Sequence, residues 1–309
     1  MTDPQNWERQ TLEKLAFSTL QEQKRARNWS IFFKTLTLLY LFVLLFFALE
    51  WIGPVGKSMG NHTALIDIKG EIGDGGGVDS DSTISSLQSA FEDKYTKGII
   101  LRINSPGGSP VQAGIINDEI HRLRKKYPKI PVYAVVEDIC ASGGYYIAVA
   151  ADKIYVDKAS IVGSIGVLMD GFGFTGTMQK LGVERRVMTA GKNKAFMDQF
   201  APVNPAHKEF AQEMLDEIHQ QFIKVVRDGR GARLKETPEI FSGLFWTGEK
   251  SIRLGLADGL GSSEYVAREV VKEENIVDFT SHEGLADRFA KRFGASMAHS
   301  LFGAGFSLH

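Results

Sequence analysis

The chain has 309 residues, of which 43% are hydrophobic, 24% charged and 10% aromatic, enough apolar material for one large core or two modest ones and unlike a disordered or collagen-like polymer. Its 36 basic and 37 acidic side chains leave a formal charge of -1, so no global field grips a polyanion and no nucleic-acid partner is expected. The single cysteine, Cys140, excludes an intrachain disulfide framework and a cysteine-rich metal centre.

Residues 35–49 read TLTLLYLFVLLFFAL, with further apolar residues on either side of Lys34 and Glu50. About 20 mainly apolar residues, at about 1.5 Å each, cross about 30 Å of hydrocarbon, so residues 35–54 are expected to span a bilayer. Lys24, Arg25, Arg27 and Lys34 precede the run, whereas Glu50 follows it. This imbalance places residues 1–34 in the cytoplasm and the body outside it. The long leading segment, without a small-x-small cleavage site, favours a retained signal anchor over a removed signal peptide. The alternative is a buried helix of a soluble protein. Pro54 and Gly56 mark the exit into a linker, residues 55–63.

Short apolar runs then alternate with amphipathic ones. Residues 64–68, 98–103, 131–136, 153–156 and 165–169 read as strands, and 82–91, 110–126, 143–151 and 175–181 as helices. Such alternation implies a layered α/β domain over residues 64–274, with functional loops at the carboxyl ends of its strands. Residues 205–227 form a further helix, whose stripe of Phe210, Met214, Ile218, Phe222 and Val225 would meet the same chain or a sister subunit. Residues 275–309 carry only intermittent apolar positions and read as a tail or assembly segment.

Two turns are chemically suggestive. The NSPGG turn, residues 104–108, follows a strand and precedes a helix, so its amides would serve either an oxyanion or merely a tight connection. It lacks the glycine-to-lysine spacing of a phosphate loop. At the second turn, residues 141–144, Ser142 stands where a strand enters a helix, suited to a nucleophile or to an ordinary helix cap. Cys140 is a rival thiol or a small buried residue. The seven histidines form no motif with this serine, and no metal-ligand spacing is present, so neither metal nor cofactor is expected.

Taken together and in order, NSPGG, ASGGYYIA, SIVGSIGV, AGKNKAF and FWTGEKSIRLGLADGLG, within residues 64–272, resemble the signal peptide peptidase A family in its short, membrane-anchored bacterial form. The resemblance implies a ClpP/crotonase-like α/β fold behind an N-terminal transmembrane helix, and a homo-oligomer whose neighbours contribute to one another's sites. It matches Ser142 to the nucleophile, Lys194 to the general base beside Lys192, Ser164 to the lysine-orienting serine and Gly108, next to Gly107, to the oxyanion glycine. Ala195 departs from the aspartate often found after the base. The implied activity is serine endopeptidase cleavage of residual signal peptides or other extended peptides, beside the lipid bilayer of a bacterial inner membrane, with the catalytic domain periplasmic. A noncatalytic membrane scaffold or chaperone and a crotonase-like acyl-thioester enzyme are the alternatives.

Overall fold

A computed structural model describes residues 4–48, 60–73, 75 and 77–281. The far end of the expected span, the first part of the linker and the tail beyond residue 281 lie outside the described residues. Two compact units are present, described in turn.

The first contains helix α1 (Pro4–Ala48). Its stretch Glu13–Leu45 is long and apolar enough to cross a membrane, and among the described residues no other helix is. At about 1.5 Å per residue the whole helix is about 68 Å long, over twice the hydrocarbon thickness. The helix therefore takes in nearly all of the expected cytoplasmic segment together with most of the expected span.

The second unit is a mixed α/β body. In chain order its elements are β1 (His62–Lys69), β2 (Glu71–Ile72), β3 (Gly77–Val78), α2 (Ser80–Glu92), β4 (Thr96–Ser105), α3 (Pro110–Lys126), β5 (Val132–Ala141), α4 (Gly143–Ala148), β6 (Lys153–Val156), β7 (Ile161–Gly163), α5 (Thr175–Leu181), α6 (Pro205–Arg230), β8 (Phe245–Thr247), α7 (Gly248–Arg253), β9 (Gly259–Leu260), α8 (Ser263–Tyr265), a π-helical turn Val266–Val271 and β10 (Ile276–Asp278). The main sheet runs β10-β1-β4-β5-β6-β9 in parallel, and β7 extends it by pairing with the end of β5 and, antiparallel, with β8.

The continuous apolar runs of β1, β4 and β5 follow from cover on both faces. Ala64, Ile66, Ile68, Ile99, Leu101, Ile103, Ala134 and Val136 join one core with residues of α2, α3 and α4. The alternate positions Leu65, Ile100, Val135 and Tyr155 pack with Val266 and Ala267 of the π-helical turn. Further along that second face the same alternation brings Asp67, Arg102, Glu137 and Lys69 into an ion network, with Arg102 Nε 2.5 Å from Asp67 Oδ1 and Lys69 Nζ 3.2 Å from Glu137 Oε2.

The expected strand over 165–169 is not formed. The strand lies earlier, at Ile161–Gly163, because Gly163 (φ +122°) and Ser164 (φ +52°) leave extended geometry. The helix expected over 143–151 ends at Ala148, and α6 continues past residue 227 to Arg230. Residues 166–210 contribute nothing to the core.

Candidate active site

Parallel pairing of β4 with β5 sets the NSPGG turn beside the serine turn, both at carboxyl ends of strands, where α/β sheets place their ligands. Gly107 and Ser142 then meet closely. A Cβ on Gly107, whose φ is +108°, would stand 2.7 Å from Ser142 Cβ and 2.9 Å from Gly143 N. Gly108 packs on β2: its Cβ would stand 2.1 Å from Ile72 O, while Ser109 N donates to that oxygen at 2.7 Å and Ile72 N donates to Gly107 O at 2.8 Å. The buried Ser105 hydroxyl accepts the Gly107 amide at 3.2 Å.

Ser142 has φ +52° and ψ -122°, a conformation that L-residues hold only when their surroundings impose it. Its amide donates to Gly163 O at 2.9 Å, and its carbonyl accepts from Tyr146 N at 3.0 Å. Its side chain makes no capping hydrogen bond, so the helix-cap reading does not explain the residue. Among the described residues the amides of Gly108 and Gly143 donate to no protein acceptor, and a Cβ on Gly143 would stand 3.4 Å from Gly108 N. Two free donors therefore lie together beside a free hydroxyl, the arrangement that stabilises an acyl oxyanion.

Ser164 arrives by register. Ala141 pairs with Gly163, so the next residues, Ser142 and Ser164, emerge side by side from β5 and β7. Ser164 shares φ +52°, and its amide donates to Leu244 O at 2.7 Å. A Cβ on Gly163 would press 2.9 Å from the Trp246 ring, which explains the glycine there.

Gly108, Ser142, Gly143 and Ser164 line one cleft of about 1010 Å³. Tyr146, Val167, Leu168, Met214, Ile218 and Phe222 supply apolar lining, with the Tyr146 and Phe222 rings 5.0 Å apart. His219 also lines it, but its Nε2 donates to Ile165 O at 3.2 Å. The lining residues of α6 were legible as an apolar stripe, although nothing in the stripe showed what it faces. Cys140 is fully buried, and burial pushes its thiol pKa up, so it is no rival nucleophile.

Lys194 is not brought into this cleft. It is exposed, with its amide donating to Gly191 O at 3.0 Å, and Lys192 beside it is exposed too. Phe196, two residues on, meets His207 and Phe210 at ring distances of 5.1 and 5.7 Å, at the start of α6. Phe222, next to Tyr146 and the serine turn, is about 18 Å of helical rise further along α6. The lysine turn and Ser142 thus attach to opposite stretches of one helix.

A sequence model of peptidase family S49 matches residues 124–277, which include Ser142, Ser164 and Lys194 but not Gly108. The chain is 48% identical over 180 residues to the Na(+)/H(+) antiporter NhaA of Brucella melitensis, covering 58% of this chain and 24% of that protein. It is 32% identical over 197 residues to an Enterococcus faecium protein provisionally named a signal peptide peptidase, covering 64% and 57%. It is 31% identical over 213 residues to a provisionally named protease of Synechocystis, covering 69% and 74%. The chain therefore spans about a quarter of the antiporter's length and a little over half of the Enterococcus protein's. Similarity across most of the Synechocystis protease, together with the family model over the serine and lysine segments, shows that the chain belongs to peptidase family S49.

Proposed function

We propose that this chain is a membrane-anchored serine endopeptidase working with a Ser142–Lys194 dyad on residual signal peptides and other extended, apolar peptides. The observation that carries the reading is the free Ser142 hydroxyl, held at positive φ beside the free amides of Gly108 and Gly143, in a cleft with both apolar and polar walls. Ser142 Oγ attacks the peptide carbonyl while the Lys194 amine takes its proton, and the negative oxygen settles against the two amides. Lys194 then delivers the proton to the leaving amine, and water attacking the acyl-enzyme restores the serine. Ser164, emerging beside Ser142, orients the amine.

Because Lys194 lies outside the cleft of its own chain, the base comes from a second copy. Exposed Leu168, Phe172, Leu181, Val187, Met188 and Val203 in residues 166–210 provide apolar surface for that contact. The finer fold reading is ClpP/crotonase-like, supported by crossover-connected parallel strands presenting the nucleophile at a strand-to-helix turn. The basic residues before the apolar run favour an inner-membrane anchor with a cytoplasmic amino end and a periplasmic catalytic body.

The test compares detergent-extracted parent, S142A and K194A on a signal-peptide-like fluorogenic substrate. Each single variant should abolish hydrolysis, and mixing the two should restore part of it, since a mixed assembly rebuilds some complete sites. Unchanged hydrolysis in both variants, with assembly intact, would sink the dyad.

A further inference from the structure

The segment bearing Lys194 gives nothing to the core, yet it closes on itself at one point. There the Asp198 side chain is only 8% exposed, although Met197, Gln199 and Phe200 around it face solvent. Its Oδ1 accepts the Phe200 amide at 3.0 Å. Its Oδ2 makes no well-angled hydrogen bond but lies 2.9 Å from the Arg185 guanidinium, so charge holds it. That guanidinium also sits over the Phe200 ring, 5.2 Å from its centre, and Phe200 stacks on Phe174 at 5.4 Å. Phe174 N donates to Gln199 O at 2.8 Å, tying the beginning of the segment to its end. Met197, immediately before Asp198, is held at φ +50°.

An exposed segment without a core has only a few ring contacts to fix it, and surface ion pairs in such places are ordinarily weak. This pair differs because its carboxylate is buried: without the guanidinium an uncompensated charge would remain, and the clip would open. The closure joins residues on both sides of the Gly191–Lys194 turn, so opening it leaves that turn held, among the described residues, only through Phe196 on α6.

We infer that the Arg185–Asp198 pair, clamped over Phe200, is a positioning device that holds the turn presenting Lys194 to a Ser142 hydroxyl. The inference rests on the reading of Lys194 as the base. Neither Arg185 nor Asp198 lines the Ser142 cleft of its own chain, so a positioning role predicts an effect on kcat rather than on KM.

The experiment measures kcat and KM for full-length, detergent-extracted R185A, D198N and K194A on the fluorogenic peptide, with R185A assayed again in millimolar guanidinium. Misplacing a reacting group by about 1 Å costs about a hundredfold, so R185A and D198N should lose about tenfold to a hundredfold in kcat with KM nearly unchanged. Added guanidinium, a free copy of the deleted group, should recover part of the kcat of R185A and none of that of K194A. The positioning role is overturned if R185A and D198N keep parental kcat while K194A is inactive. It is equally overturned if kcat falls but guanidinium restores nothing, because the loss then does not come from the missing charge. If K194A itself keeps parental kcat, the dyad reading fails, which separates that failure from failure of the clip.

Discussion

Ser142 and Ser164 both hold φ +52°, each one residue past a paired strand end, and the turn at Ser142 depends on a glycine packed against it. At Ser142 the glycine is Gly107, so close that a single methyl group there would overlap the serine's own Cβ at 2.7 Å. The neighbouring Ala141 carbonyl at 3.0 Å and Gly143 amide at 2.9 Å leave that methyl no direction of escape. Gly107→Ala is therefore expected to displace both the hydroxyl and the Gly143 amide, a proposed oxyanion donor. A lost donor costs about a hundredfold to a thousandfold in kcat, and a loss of at least that order is expected for G107A, while the sheet beneath still forms. Steady-state kinetics with far-ultraviolet circular dichroism checks this. Near-parental kcat would show that Gly107 does not shape the serine turn.

The element that delivers Ser142 is α4, a helix of six residues and too short to hold itself. It is fastened from the side. Tyr145 is fully buried and its hydroxyl donates to Leu256 O at 2.8 Å, reaching the segment between α7 and β9, while Asn117 of α3 donates to Tyr146 O at 2.7 Å. Tyr145→Phe keeps the ring and strands the Leu256 carbonyl, so a loss of about 1–3 kcal/mol in unfolding free energy is expected by denaturant titration. A loss below that range would mean that the carbonyl finds another donor. Elements of this kind also mark what was readable from the amino acids. The strands β1, β4, β5 and β6 announce themselves as apolar runs because both of their faces are covered. The three-residue β7 does not, since it exists by pairing with the last residues of β5, and the more apolar stretch after it is exposed from Leu168 onward. β8, β9 and β10 are only two or three residues long and take their geometry from partners distant in sequence. Within the candidate site, the serine turn and NSPGG were visible as separate strand-to-helix turns. Their meeting depends on the Ser105–Cys140 register, and the arrival of Ser164 on the Ala141–Gly163 register, neither of which any local pattern encodes. The separation of Lys194 from Ser142 likewise follows from where Phe196 and Tyr146 meet α6, at Phe210 and Phe222 respectively.

Across the body as a whole, one buried ion pair joins the far end of α6 to the sheet. Arg230 is 1% exposed; its Nη1 and Nη2 donate to Asp258 at 2.8 and 3.0 Å, and its Nε donates to Gly255 O at 2.8 Å. Asp258 also accepts the Ile154 amide of β6 at 2.7 Å, so the pair links α6, β6 and the approach to β9. Burial by itself would raise the Asp258 carboxyl, but Arg230, the Ile154 amide and Arg233 outweigh it and hold the carboxyl below its ordinary range. A folded-state value below the unfolded one means that the unfolded chain binds the extra proton. The stabilisation is then present above about pH 4 and is lost as pH falls through the depressed folded value. Asp67 acts in the same sense: burial raises it, but Arg102 lowers it further. Asp258→Asn leaves the Arg230 charge buried without a partner, and about 3–5 kcal/mol of stability should be lost at pH 7. Acid performs nearly the same change on the parent, since protonating Asp258 also removes the counter-charge. The gap in thermal midpoint between parent and D258N should therefore be widest near neutrality and narrow below about pH 4, with Asp67 leaving both proteins some residual acid sensitivity. Midpoints followed by circular dichroism from neutral pH down to about pH 3 provide the measurement. A gap that stayed constant across that range would mean that the carboxylate charge of Asp258 contributes nothing to holding α6 on the sheet.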